Sequence, residues 1–169
     1  MNISINPQKF SYWLLIIVIC FANMAYSQSG ISVFDRVNYY KIMESGNLEA
    51  IENQLSFIDK CDFKNKDAFT GALIMKSAGS MKPPSKKLKT FKAGKSRFEM
   101  AFVKDSNNAE LRFLRLMIQE NAPKILGYHH ELQKDRSFII AHFNTLPEYT
   151  QQVIRNYSKK SKILSVSDF

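Results

Sequence analysis

Cysteine is nearly missing: the 169 residues hold two, Cys20 and Cys61. Cys20 lies inside an apolar leader, and the one that remains cannot close an internal disulfide. The domain must therefore be held together by packing. Cys61 is left as a free thiol, a link to a second chain or, most simply, a small half-buried apolar side chain. Strand signals are also missing, since apolar and polar residues never alternate for long and no Asn-Gly dipeptide marks a hairpin. There are three histidines. His129 and His130 are adjacent and diverge on a helix, and His142 would lie roughly 18 Å from His130 at 1.5 Å per residue along one helix. No Cys/His/Asp spacing matches a zinc or calcium motif, and there is no nucleophile elbow or Gly-rich phosphate loop. These absences argue against an enzyme, a bound metal and a cofactor.

Acidic residues are few as well, 15 Asp and Glu against 24 Lys and Arg, for a net charge of +9. The first 27 residues account for one of those positive charges. Lys9 precedes an unbroken apolar run from Trp13 to Ala22, and Ala25-Tyr26-Ser27 places small residues at −3 and −1 of a cleavage site. This pattern reads as a secretory signal peptide, and the run is short for a membrane span. Cleavage before Gln28 leaves 23 basic and 15 acidic residues, net +8. The expected location is the periplasm or the exterior, with no membrane span after processing. Residues 28–158 form the expected single domain and 159–169, rich in lysine and serine, a loose tail.

The centre of that domain is Asn107 to Tyr128. Asn107 or Asn108 can cap a helix, and Glu110 suits its positive end. Leu111, Leu114 and Ile118 recur at helical spacing, with Phe113, Leu116 and Met117 widening the face. So broad an apolar face predicts a helix packed on most sides, ended by Pro123. Helices are also predicted over Ile31–Glu44, with Val33, Val37 and Tyr40 on its stripe, and from Leu48 to about Lys60. Gly46 and Asn47 join these two. Others follow over Ala68–Ala78, Lys86–Lys104, Leu132–Asn144 and from Pro147 to about Ser158. The fold class is all-α, about seven helices stacked as antiparallel hairpins. Gly71, costly in a helix by about 1 kcal/mol relative to alanine, is tolerable where another helix approaches the backbone closely.

In Phe98 to Asn108, Phe98, Ala101 and Ser106 keep the spacing of an aromatic, an alanine and a helix-ending residue, with Gly94 seven before Ala101. This resembles the end of a tetratricopeptide-type helix pair, in which a small residue marks the crossing of two helices. Hairpins beginning near Val33, Ala68 and Glu110 fall within the range of helical-repeat units. The resemblance implies a divergent tetratricopeptide-like α-solenoid or compact helical array. The loop Met81–Ser85 is longer than that family's tight turn. The block AELRFLRLMIQENAPKILGY also resembles small secreted proteins of Gram-negative bacteria, a likeness that implies no activity.

Arg112, Arg115 and Gln119 form the one polar stripe of the central helix. Two readings stand: a groove gripping a carboxylate or phosphate, or arginines paired with acids of neighbouring helices such as Asp67, Glu99 or Asp135. The basic run Lys82, Lys86, Lys87, Lys89, Lys92, Lys95 and Arg97 has no aromatic stacking platform, and export argues against nucleic acid, so a solvated helix face is expected. The expected function is a binding or scaffold module for a protein or peptide of the cell envelope, with a small anion binder as the alternative.

Overall fold

A computed structural model describes residues 33–169 of the chain, so the leader and its cleavage site fall outside the described residues. Every regular element among them is helical. Seven α-helices follow in order: α1 (Arg36–Ser45), α2 (Leu48–Asp59), α3 (Lys66–Ala78), α4 (Pro84–Lys104), α5 (Ala109–Asn121), α6 (Leu132–His142) and α7 (Glu148–Ser158). No described helix is long and apolar enough to cross a membrane.

Local chemistry sets the boundaries. Asp35, Asn47 and Asn108 each cap a helix, accepting from the backbone N–H of Asn38, Ala50 and, at Asn108, both Glu110 and Leu111. These bonds satisfy donors that a helix start leaves free. Gly46 closes α1 at φ +64°, a left-handed conformation open to glycine at little cost. Asp35 starts α1 later than its valines suggested. Its buried residues are Tyr39, Tyr40 and Met43, while Val33 and Val37 are 82% and 42% exposed. The apolar spacing of the two valines is therefore not the core stripe: Val33 precedes the cap, and the two tyrosines bury far more surface.

α5 is the axis of the domain. Its residues from Ala109 to Gln119 are all buried, so the helix is enclosed on every side for three turns. α3 and α6 pack against it, α4 runs along α3, and α2 pairs with α1 and α3. The first described helix also packs on the last, α1 against α7, which closes the set into a compact helical array.

The tightest contact joins α3 to α4. A Cβ built on Gly94 would stand 2.7 Å from both Gly71 O and Met75 N, and one on Gly71 only 2.6 Å from Phe98 N. Both glycines are needed because the two backbones touch, as the small residues at 71 and 94 suggested.

The C-terminal residues differ from the expected loose tail. Leu164 is 2% exposed, Phe169 packs on Phe143 with ring centres 4.5 Å apart, and Arg136 pairs with Asp168. Ser165 caps a final 3-10 turn, Val166–Asp168. Charge and serine content hid Ile163, Leu164 and Phe169, which have apolar surface to bury, so residues 159–169 form a docked arm.

Candidate functional site

Arg112 and Arg115 lie one turn apart on α5, and both turn toward Asp135 of α6. Asp135 is wholly buried. Arg115 grips it in two places, Nε to Oδ2 and Nη2 to Oδ1, each at 2.7 Å. Arg112 adds Nη1 to Oδ1 at 2.9 Å and donates from Nε to the carbonyl of Ser106. The guanidinium of Arg115 lies 3.9 Å from the ring centre of Phe102, and that of Arg112 4.2 Å from Phe138. Glu99 and Glu131 stand farther off, at 3.7 and 3.8 Å from Arg115. Burial works against the charge of Arg115, but the bonds and charge of Asp135, with Glu99 behind it, outweigh this and raise its pKa. One carboxylate thus fills the fork of Arg115 and holds one arm of Arg112, and an aromatic face lies against each guanidinium.

Gln119, the third member of the stripe, is 2% exposed, and its backbone carbonyl faces His129 Nδ1 at 2.7 Å. Its side-chain oxygen has no hydrogen-bond partner among the described residues. Asp67 pairs with Arg97 instead of the stripe, Nη2 to Oδ1 at 2.7 Å. Tyr128 donates a hydrogen bond to Glu99, and burial followed by that carboxylate holds its phenol far above its ordinary pKa.

The other candidates lie apart. His142 stacks on Phe138 and contacts the Phe138 carbonyl through Nδ1, while His130 is exposed. No group of three His, Cys, Asp or Glu able to hold a metal occurs among the described residues. Cys61 is buried and its thiol donates to Phe57 O. In the basic run, Lys82, Lys86, Lys87, Lys89 and Lys92 are exposed, and Lys95 sits 4.7 Å from the ring centre of Tyr128.

Elsewhere among the described residues lies a cleft of ≈ 750 Å³. The C-terminal ends of α1, α3 and α5 reach it, together with the first turns of α4, the turn after Pro123 and the docked arm. Its floor is apolar and adaptable: Met43, Met75 and Met117 are all buried beside Phe91 and Ile118. Leu88 and Ile125, 41% and 93% exposed, stand at its mouth. None of Arg112, Arg115 and Gln119 lines it.

Lys76, Lys87, Lys160 and Lys162 supply its positive charge, Glu44 and Glu120 its negative charge. Both carboxylates are engaged. Glu44 holds Lys160 at 3.1 Å, and Glu120 accepts from Tyr157 Oη and Ser161 Oγ at 2.8 Å and from the backbone of Lys162. Burial, then the charge of Glu120, push the Tyr157 phenol above its ordinary pKa. Periodicity could not find this site, because its walls come from helix ends far apart in sequence. Pro123, which ends α5 and exposes Ile125, was the one local signal. Compared with protein-family models, with curated proteins and with solved structures, the chain matches none of them.

Proposed function

We propose that this protein is a non-enzymatic binding module of the cell envelope, and that a peptide or protein partner inserts an apolar group into the cleft between α1, α3, α4 and α5. One observation carries the reading. The cleft joins a methionine floor to an apolar mouth in which Ile125 is almost fully exposed. Burying Ile125 under a partner would recover surface that the chain leaves in water. The volume falls among those of sites that enclose a small group, about 300–1,000 Å³. The arginine stripe favours the small-anion alternative less, because Asp135 occupies the fork of Arg115 and takes Nη1 of Arg112, whose Nε is held by Ser106 O.

Photo-crosslinking in the cell tests this. A photoreactive residue at Ile125 should give a discrete adduct with an envelope partner. The same residue at Met100 or Val103, 63% and 74% exposed and not part of the cleft, should not. Equal adducts at all three positions, or none at 125, would remove the cleft as the binding site.

A further inference from the structure

We infer that the cleft is built for a chain end: an apolar peptide terminating in a free carboxylate, with the carboxylate on Lys76 and the preceding side chains on the methionine floor. The inference rests on the proposed binding role and adds the chemistry of the ligand.

Lys76 lies in the last turn of α3, and its side chain lies over Gly46, with Nζ 3.6 Å from the position a Cβ would take there. Both residues line the cleft. Lys76 is only partly exposed and forms no ion pair among the described residues. Glu44, the acid whose charge acts on Lys76, is paired with Lys160, which also repels Lys76. A partly desolvated ammonium with its neighbouring carboxylate already taken favours an incoming anion. Burial first, then Lys160, lowers its pKa, and a bound carboxylate would reverse that direction.

The rest of the wall asks for the opposite chemistry. α1, α3 and α5 all end at the cleft, and a helix C-terminus carries a partial negative charge and carbonyls lacking intrahelical donors. α5 lacks a backbone cap of the kind that closes α1 and α3, because Ala122 is extended and Pro123 has no N–H; the side chains of Asn121 and His129 reach Met117 O and Gln119 O instead. A simple anion meets these carbonyls unfavourably, and a hydrocarbon carboxylate gives them no donor. A peptide end supplies both parts, amide N–H groups for the helix ends and a carboxylate for the lysine. Its apolar side chains suit the sulfur-rich floor, which adapts to shape.

Calorimetric titration of the full-length protein with acetyl-Gly-Leu-Phe-Leu tests this, using the free acid, its C-terminal amide and decanoate. The free acid should bind roughly tenfold or more tightly than the amide, the scale of one charge-assisted hydrogen bond. It should also bind more tightly than decanoate. Lys76→Met should reduce the acid to the affinity of the amide and leave the amide unchanged, while Lys76→Arg should retain most of the preference. Circular dichroism of both variants checks the fold. Acid and amide binding equally would overturn the chain-end assignment, and so would a preference for decanoate. If Ala122→Trp then abolishes both equal affinities, the cleft reading survives without it. Binding of no probe also overturns the chain-end assignment, and the crosslink at Ile125 then decides separately whether the cleft binds a partner.

Discussion

Gly94 of α4 rests directly on Gly71 of α3, with Gly71 O only 2.7 Å from where a Cβ on Gly94 would lie. Helix propensity alone favours alanine at position 94 by about 1 kcal/mol. The contact reverses that sign, because the atoms in the way are Gly71 O and Met75 N, backbone groups of a buried helix that cannot swing aside. Gly94→Ala should destabilise by about 1–3 kcal/mol, the usual range for overpacking, and Gly94→Leu by more. Denaturant titration measures both. A gain in stability from alanine would mean that α3 and α4 do not touch at this point.

Asp135 is the second point of failure. It hydrogen-bonds Arg112 and Arg115 at once from a position with no solvent exposure. Asp135→Asn keeps the shape and removes the charge, so a loss of about 3–5 kcal/mol is expected, as when a buried pair loses one partner. Sulfate should not raise the melting temperature of the wild type through this site. A small loss, joined by a sulfate stabilisation that Arg115→Met abolishes, would make the stripe an anion site.

Glu110 gives the fold a pH dependence. Burial raises its pKa above the ordinary 4.5, against the opposing charge of Arg36 and hydrogen bonds from Tyr40 and Arg36. The folded state therefore binds a proton more tightly than the unfolded one. Stability is fully present below the unfolded pKa and declines as pH rises through the raised folded value. Glu110→Gln carries no such proton. The stability of the wild type relative to this variant should fall as pH rises above the ordinary glutamate range and be flat below it. Chemical denaturation at a series of pH values checks the slope, and a rise would show that Arg36 dominates burial.

The docked arm should contribute measurably. Leu164→Ala removes a side chain that is 2% exposed and should cost about 2–5 kcal/mol. A loss within about 0.5 kcal/mol, the range of ordinary surface substitutions, would return residues 159–169 to a loose tail.

Helices that bury a continuous face could be read from the sequence, and sites assembled from several helix ends could not. α5 was legible because Leu111, Leu114 and Ile118 repeat at helical spacing and Asn108 and Pro123 bracket them. Asp135 was legible only as one of three acids that could pair with the arginines, beside Asp67, which pairs with Arg97, and Glu99, which stands farther off. α1 misled because Val33 and Val37 fit a helical stripe, whereas the Asp35 cap and the bulk of Tyr39 and Tyr40 set the buried side. The arm was read from its lysines, although Leu164 and Phe169 decide where it goes. The cleft gave no periodic signal, since Met43, Met75 and Met117 belong to three helices and meet only after folding.

Methyl and side-chain NMR separates the cleft from the stripe most directly. During titration with acetyl-Gly-Leu-Phe-Leu, the methyl signals of Met43, Met75 and Met117 should shift together and saturate. The Nε–Hε signals of Arg112 and Arg115, held by Ser106 O and Asp135, should stay where they are. Shifts of those arginine signals with unmoved methionine methyls would contradict the cleft as the binding site and place the ligand on α5 instead.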